Sequence, residues 1–290
     1  MKTLVTGGSG YLGTHIRQHF AADDLSRRSG RDILRLDDAS MVADYDVVIH
    51  LAAHLDKRHT GASQTFLTNV EGTVNILREM REDAVFIFAS TKDVYGRFAG
   101  NYKTVDESCP TLYSGQSPLE WSKLIAERYI EYYAHERGFR SCIFRLSTVY
   151  APPSNGNAAG FVGHFADALN KGEPLSLPGS GIPKRDVLHV DDLAGACEAF
   201  IDSVIRHGLY NLGGGQANSA TLREMVAVME DVTGLQAVID EEHPLPVPIP
   251  LNYVSDIGLA ERELAWSPKI DMPTGFATLF HTNVAAGSIQ

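Results

Sequence analysis

The sequence is poor in cysteine. Only three cysteines occur among its 290 residues, namely Cys109, Cys142 and Cys197. An odd number of widely separated cysteines predicts neither a disulfide framework nor a metal site. Free thiols of this kind are typical of a reducing compartment, so we expect a cytoplasmic protein without a bound metal.

Positive charge and long apolar runs are also lacking. The chain has 25 lysines and arginines against 36 acidic residues, which gives a formal net charge of -11. A nucleic-acid partner would need clustered basic residues, so none is expected. No apolar run approaches the length of a bilayer-spanning helix, so we expect no membrane partner. A predicted strand begins at Lys2, and we expect no signal peptide before it.

What the sequence does contain is an alternation of apolar strands and helices. Nearly continuous apolar runs over 3–5, 46–51, 84–88, 141–146 and 209–212 are typical of parallel strands covered on both faces. Helical patterns cover 15–21, 66–81, 120–137, 192–203 and 221–233. Gly138 would end the third helix, and Thr221 with Glu224 has the spacing of a capping box. The order predicts an α/β fold with a doubly wound parallel sheet.

The composition changes after residue 150. Segments 152–160 and 174–183 are rich in Pro and Gly and are predicted loops, and 244–250 is proline-rich. We therefore predict a dinucleotide-binding domain formed by residues 1–150 and about 184–215. A smaller substrate-binding domain would comprise residues 151–183 and 216–290.

A glycine-rich segment lies between the first predicted strand and the first predicted helix. Gly7 would permit a tight turn, Gly10 would let the backbone approach a pyrophosphate, and Gly13 would allow close packing of helix on strand. The free N–H groups at the start of the helix would then face the phosphates. A Walker loop is excluded because no Lys-Ser/Thr pair follows. The segment predicts a Rossmann-type dinucleotide site.

This glycine spacing resembles that of the extended short-chain dehydrogenase/reductase family, which contains nucleotide-sugar epimerases and dehydratases. Further segments resemble family motifs in the same order along nearly the whole chain: 46–53, 69–73, 88–96, 145–152, 185–192, 210–213 and 263–268. The resemblance implies a site for NADP or NAD and a smaller domain for a nucleotide-activated sugar. The implied cofactor-binding residues are Gly7, Ser9, Gly10, Tyr11, Leu12, Gly13, Leu51, Ala52, Ala53, Asn69, Ser90 and Lys123.

Two registers of the second strand favour different cofactors. If the strand covers 24–26, Arg27 and Arg28 at its end suit the 2′-phosphate of NADP. If it covers 32–36, Asp37 would bind the ribose hydroxyl of NAD. The family has two strands between the first strand and residue 46, which favours the first register, with 32–36 as the third strand and Asp37 and Asp38 near the adenine. We expect NADP, and the alternative is that the arginines form a solvated turn.

The catalytic residues of the family are matched only in part. A Ser or Thr hydrogen-bonds the reacting oxygen, a Tyr acts as acid and base, and a Lys four residues later lowers the pKa of that Tyr and holds the nicotinamide ribose. Thr91 and Lys123 match the hydroxyl and the lysine, but the tyrosine position is Leu119. Leucine cannot exchange a proton. The candidate substitutes are Glu120, Lys92, Asp93 and Tyr113.

Arg185 is the main candidate for substrate binding in the second half of the chain. The matching family arginine contacts the nucleotide diphosphate, to which a guanidinium can donate two hydrogen bonds. The alternative is a structural ion pair with Asp186 or Asp191. The other substrate-binding candidates are His54, Lys92, Asp93 and Thr148.

The resemblance implies an NAD(P)-dependent 4-ketoreductase or epimerase that acts on a nucleotide diphosphate sugar. The competing hypothesis is a cofactor-binding protein with atypical or no redox turnover, because the tyrosine is missing. Family members often form homodimers through two helices, and the helices over 66–81 and 120–137 correspond to them.

Overall fold

The fold was obtained as a computed structural model and is described for residues 1–154 and 160–280. The strands are β1 (Thr3–Thr6), β2 (Asp23–Leu25), β3 (Val47–His50), β4 (Val85–Thr91), β5 (Arg140–Leu146), β6 (Thr148–Tyr150), β7 (Pro174–Leu175), β8 (Lys184–His189), β9 (His207–Leu212), β10 (Ser219–Thr221) and β11 (Val238–Ile239). The α-helices are α1 (Tyr11–His19), α2 (Leu36–Ala39), α3 (Ala62–Phe66), α4 (Gly72–Glu79), α5 (Pro118–Arg137), α6 (Gly160–Lys171), α7 (Val190–Asp202), α8 (Leu222–Thr233), α9 (Gly258–Leu264) and α10 (Met272–Ala277). A π-helical turn, Leu67–Glu71, connects α3 to α4.

Six parallel strands form the main sheet in the order β2-β1-β3-β4-β5-β9. Their buried side chains alternate between the two faces of the sheet. Val5 and Ile87 face the side covered by α1 and α7, whereas Leu4 and Phe86 face the side covered by α4 and α5. Both faces are therefore buried, and the predicted doubly wound α/β fold is confirmed.

The predicted third strand over 32–36 is wrong. The chain turns there instead, and β2 is the edge of the sheet. Side-chain carboxylates hold this turn: Asp38 Oδ2 accepts from the Asp32 backbone N–H (2.8 Å), and Asp32 Oδ1 accepts from that of Leu34 (3.0 Å). Acceptors so close in sequence compete with a neighbouring strand for the backbone N–H groups. The residues that follow form the short helix α2.

The second half of the chain builds a smaller layer with its own core. Strands β6, β8 and β10 form one sheet, and β7 pairs with β11. Helices α6, α8 and α10 pack around buried Phe165, Met225 and Phe276. The division into two domains stays a prediction, and most of the predicted 152–160 loop lies outside the described residues.

The long helix α5 shows how local sequence sets the helix ends. Ser117 and Glu120 form a capping box, and Pro118 occupies the first helical position, where its missing N–H costs nothing. Gly138 ends the helix with a positive φ of 79°. The predicted capping box of Thr221 and Glu224 is also confirmed. In the described ranges, no helix is both long and apolar enough to cross a bilayer.

Candidate active site

A cavity of about 600 Å³ lies along the carboxyl ends of β1, β2, β3 and β4. Most of the predicted cofactor-binding residues line it: Gly7, Ser9, Gly10, Tyr11, Leu12, Gly13, Arg27, Arg28, Leu51, Ala52, Ala53, Ser90 and Lys123. Thr91 and Leu119 line it as well. The carboxyl edge of a doubly wound sheet is where ligands of such folds bind. We call this space the first cavity.

The glycine loop of the first cavity has no room for larger residues. Gly7 has a φ of +71°, and a Cβ there would lie 2.8 Å from the backbone nitrogen of Ala52. A Cβ on Gly13 would collide with the carbonyl of Gly7. Helix α1 begins directly after Gly10, which has no side chain to cap the first N–H groups. These N–H groups and the positive end of the helix dipole form an anion-binding site.

The end of the first cavity beside β2 is basic. Arg27, Arg28 and Arg31 line it, together with a single acidic residue, Asp32. Arg28 Nη1 donates to the backbone oxygen of Ser9 (2.9 Å) and is fixed against the glycine loop. Residues 32–34 also line the cavity, which the sequence did not indicate because their pattern predicted a strand.

Neither acid of β2, Asp23 or Asp24, lines this basic end. Asp24 Oδ2 accepts hydrogen bonds from the hydroxyls of Ser9 (2.5 Å) and Ser26 (2.9 Å), and Asp24 is absent from the cavity lining. Asp37 and Asp38 lie on α2 and do not line the cavity either, and Asp38 pairs with Arg35 (2.6 Å). Within the described part of the chain, Ser26 rather than an acid follows β2 at the cavity.

The opposite end of the first cavity holds Thr91 and Lys123. Thr91 ends β4, and its Oγ1 accepts from the Asp93 backbone N–H (3.2 Å), which leaves the hydroxyl proton free to donate. Lys123 Nζ donates to the Ala89 carbonyl (2.7 Å) and lies 4.5 Å from the centre of the Phe88 ring. Burial lowers the pKa of Lys123 to about 8, and the Glu127 carboxylate opposes that shift.

A buried hydrogen-bond network that joins β4, α5 and β5 lies next to this end of the first cavity. Glu127 accepts from Ser90 Oγ (2.5 Å) and pairs with Arg145 through two hydrogen bonds (3.1 and 2.7 Å). Arg145 also donates to the Tyr95 hydroxyl (3.1 Å). Asn69 does not line the cavity, but its Nδ2 donates to Ser122 Oγ on α5 (2.8 Å). These side chains come from distant segments, so the sequence carried little signal for the network.

Leu119 occupies the position one helical turn before Lys123. Its side chain is 8% exposed and lines the first cavity. The cavity wall at this position is therefore hydrocarbon and offers no group that can exchange a proton. Tyr113 does not bring a phenol into the cavity, because it is 71% exposed and stacks on Trp121 with the ring centres 6.3 Å apart.

A second cavity of about 460 Å³ adjoins the first, and Thr91 and Leu146 line both. Four charged side chains alternate in sign across it, and we call them the ionic chain: Lys92, Asp93, Lys57 and Glu120. Lys92 Nζ lies 2.5 Å from Asp93 Oδ1, and Lys57 Nζ lies 2.9 Å from Asp93 Oδ2 and 2.8 Å from Glu120 Oε1. Burial alone would raise the pKa of Asp93, but the two ammonium groups together hold that pKa well below its usual range.

Arg185 lines the second cavity but is bonded to carbonyl groups. Its Nη1 donates to Lys184 O (2.6 Å) and Leu251 O (2.7 Å), and its Nη2 donates to Pro250 O (3.0 Å). Neither Asp186 nor Asp191 pairs with it in the described structure. Asp186 instead accepts from Ser147 Oγ (2.6 Å). Arg185 thus fixes residues 250–251, of which Pro250 lines the second cavity.

The remaining substrate-binding candidates are divided between the wall and the loops. Thr148, Lys92 and Asp93 line the second cavity. His54 lines neither cavity, and its backbone N–H and carbonyl bond to the Asn69 side chain (2.7 and 3.0 Å). Lys57, three residues further on, is the member of that loop that reaches the second cavity.

Comparison with known proteins agrees with this architecture. The model of the NAD dependent epimerase/dehydratase family matches residues 3–213, and the chain belongs to this family. A putative UDP-glucose 4-epimerase from Methanocaldococcus jannaschii is 29% identical over 94% of this chain and 95% of its own. A dTDP-glucose 4,6-dehydratase from Mycobacterium tuberculosis is 29% identical over 96% of this chain and 92% of its own.

Solved structures of low sequence identity share the fold. MoeE5 in complex with UDP-glucuronic acid and NAD superimposes with a TM-score of 0.83 at 23% identity, over 96% of this chain and 97% of that one. RMD from Pseudomonas aeruginosa complexed with NADPH gives a TM-score of 0.82 at 20% identity, over 96% of each chain. The complete architecture, including the smaller layer, is therefore common to these proteins.

Proposed function

We propose that this chain is an NADP-dependent oxidoreductase that reduces a keto group on a nucleotide diphosphate sugar. The observation that carries the proposal is the polarity of the first cavity. One end is lined by three arginines, the middle by the glycine loop, and the other end by Thr91 and Lys123. A dinucleotide with a third phosphate on its adenosine ribose matches this order of groups.

The residues present fit NADP at each point along its length. The N–H groups at the start of α1 would bind the pyrophosphate, and Arg27 and Arg28 would bind the 2′-phosphate as guanidinium–phosphate pairs. Asp24, which would repel that phosphate, is bonded to the two serines. Lys123 would hold the nicotinamide ribose. When bound, NADPH supplies the hydride for the reduction.

The second cavity is the proposed place of the sugar nucleotide. Named relatives act on UDP-glucose or dTDP-glucose, and the second cavity meets the first at Thr91. Thr91 would donate its free hydroxyl proton to the reacting oxygen. Arg185 would bind the diphosphate only by exchanging carbonyl partners for phosphate oxygens, so we propose that substrate and residues 250–251 share it. Thr148 would line the sugar site.

Reduction is favoured over epimerisation by the basic end of the first cavity. Net reduction consumes NADPH, whereas an epimerase recycles a retained cofactor. A redox-inactive cofactor-binding protein is the second candidate, and Leu119 is the observation that favours it. Against it stand Thr91 and Lys123, whose side chains face the cavity at the end where chemistry would occur.

The test is a calorimetric titration of cofactor-free protein with NADPH and NADH, followed by a turnover assay with dTDP-4-keto-6-deoxyglucose and its UDP counterpart. We expect NADPH to bind at least about 10-fold more tightly, as a charge-assisted phosphate contact provides, and to be oxidised by the keto sugar. Equal affinities or a preference for NADH would contradict the NADP assignment. NADPH binding without oxidation by either sugar would support the redox-inactive candidate.

We also propose a homodimer formed through the helix pair of α3–α4 and α5. Exposed apolar side chains lie on these helices, including Phe66, Leu67, Tyr129 and Tyr132. Uncovered apolar surface of this kind marks interaction sites. Sedimentation of the wild type and of Tyr132→Glu is the check, and we expect a dimer that the added charge dissociates.

The cysteines suit a reducing compartment, and we propose a cytoplasmic location. All three are free thiols buried in the structure. Burial raises the pKa of Cys197 to about 12, which makes it a poor nucleophile and slow to oxidise.

A further inference from the structure

The proposed reduction needs a proton for the sugar oxygen, and Leu119 cannot provide it. The structure separates the four candidate substitutes. Tyr113 is outside both cavities. Glu120 has both carboxylate oxygens engaged, with Oε2 accepting from the Ser117 backbone N–H (2.6 Å) and Oε1 beside Lys57 Nζ (2.8 Å). Its carboxylate is committed to holding the start of α5.

Asp93 cannot act as the proton donor, because its side chain is an ionised carboxylate. Each of its oxygens faces one ammonium group, from Lys92 at 2.5 Å and from Lys57 at 2.9 Å. This double pairing keeps the carboxylate ionised. It therefore has no proton to give, and its place in the ionic chain is to stabilise the two cations.

Lys92 has the required position and charge. It follows Thr91 in the chain, lines the second cavity and has a side chain only 12% exposed. Its Nζ lies 4.7 Å from the centre of the Tyr253 ring, so its ammonium group contacts both a π-face and the Asp93 carboxylate. An ammonium group has three N–H bonds. Asp93 takes one, and in the described structure no other hydrogen bond from Nζ is formed.

We propose that Lys92 is the proton donor that replaces the missing tyrosine, a role that rests on the proposed keto-sugar reduction. The carbonyl carbon gains the hydride supplied by NADPH, and the carbonyl oxygen, held by Thr91, takes a proton from Lys92 Nζ. One N–H bond breaks and one O–H bond forms. The ketone is reduced to an alcohol and NADPH is oxidised to NADP⁺. The neutral amine then takes a proton from water.

The same geometry favours reduction of a ketone over oxidation of an alcohol. An alkoxide is a much stronger base than an amine, so proton transfer from Lys92 to the reduced oxygen is favourable. Oxidation of an alcohol would need a proton acceptor, and a lysine ammonium group offers only donors. Lys92 therefore suits a reductase better than an enzyme that must also oxidise its substrate.

The experiment compares Lys92→Ala, Lys92→Arg and Lys57→Ala with the wild type. NADPH oxidation is measured with dTDP-4-keto-6-deoxyglucose and with its UDP counterpart, with and without added methylammonium, and NADPH and dTDP binding are measured by calorimetry. We expect Lys92→Ala to lose about 10²- to 10⁴-fold in kcat, the usual share of a general acid. Both affinities should remain within about 3-fold, a small change on the free-energy scale of binding.

Methylammonium should restore activity to Lys92→Ala in proportion to its concentration, because it supplies the missing N–H. Lys92→Arg should keep the charge and the affinities but stay inactive, since a guanidinium does not release its proton. Lys57→Ala removes a charge from the same ionic chain without removing the donor. We expect it to lose less activity and to gain nothing from methylammonium.

Two failures are distinguishable. If the wild type reduces neither keto sugar, the proposed function fails and the role of Lys92 fails with it. If the wild type reduces either sugar while Lys92→Ala retains kcat within about 10-fold, below the usual share of a general acid, only the assignment of Lys92 is overturned. A large loss in Lys92→Ala that methylammonium does not restore, with weakened dTDP binding, would also overturn it.

Discussion

The first and second cavities differ in what holds them together. The first is built on backbone: three glycines, the start of α1 and the ends of four parallel strands set its shape. The second depends on a few charged side chains, and the ionic chain crosses it. Backbone geometry is the product of many residues, whereas a proton donor is one atom on one side chain. A binding cleft can therefore keep its family form while the proton donor changes place.

Leu119 illustrates how such a change can be tolerated. It is nearly buried in the wall of the first cavity, in the first turn of a helix whose capping box is intact. A leucine at this position thus keeps the wall packed and the helix start in place. In the proposed mechanism Lys92, directly after β4, supplies the proton that a tyrosine at position 119 could give.

Among these tests, the greatest change in rate should follow when a tyrosine replaces Leu119. Leu119→Tyr in the Lys92→Ala background places a phenol one turn before Lys123. We expect a gain of at least about 100-fold in kcat over Lys92→Ala alone, the lower range for a general acid. Stopped-flow oxidation of NADPH by the keto sugar measures it. Leu119→Phe is the matched control, and an equal gain with phenylalanine would show that packing, not proton transfer, was restored.

A smaller effect tests the backbone character of the first cavity. Gly7→Ala adds both the strain of a positive φ and a clash with Ala52, whereas Gly234→Ala, with the same φ of +71°, meets nothing within 4 Å. We expect Gly234→Ala to cost about 1 kcal/mol of unfolding free energy and Gly7→Ala about 2–4 kcal/mol. Urea unfolding gives both values. Equal costs would mean that Ala52 yields to the added methyl group.

The basic end of the same cavity should be selective for one cofactor. Replacing Arg27 and Arg28 with alanine removes the two guanidinium groups proposed for the 2′-phosphate. We expect NADPH affinity to fall about 10- to 100-fold, as loss of charge-assisted contacts does, with NADH affinity unchanged as the internal control. A parallel loss for both cofactors would instead show that the arginines hold the glycine loop, to which Arg28 is bonded.

The smallest effect concerns the buried ammonium group of Lys123. Its pKa is lowered to about 8 in the folded protein, against about 10.4 in an unfolded chain. The unfolded state then binds the proton more tightly, so folding is penalised below about pH 8 and the penalty disappears as pH rises to about 10.4. Lys123→Met has no such penalty. We expect its stability relative to the wild type to decrease by about 1–3 kcal/mol between pH 7 and 10, measured by urea unfolding. A difference independent of pH would contradict the lowered pKa.

Local motifs made much of the fold predictable. The glycine loop, the capping box at Thr221 and the stop at Gly138 are each coded within a few residues. The turn over 32–35 was missed, because Asp38 reaches back to the Asp32 backbone and removes the strand. The ionic chain could not be predicted from the sequence either, since Lys57, Asp93 and Glu120 come from three separate segments. Charge and residue type suggested their chemistry, but only the fold shows which of them meet.

The proposed function requires this chain to perform redox chemistry with a leucine, Leu119, one helical turn before Lys123. The test is to incubate the purified protein with NADPH deuterated at C4 of the nicotinamide, separately with dTDP-4-keto-6-deoxyglucose and with its UDP counterpart. The molecular mass of each sugar product is then measured by mass spectrometry. We expect at least one of the two keto sugars to yield an alcohol that carries deuterium on the former carbonyl carbon. NADPH bound tightly to the protein, with both keto sugars recovered unreduced, would contradict it.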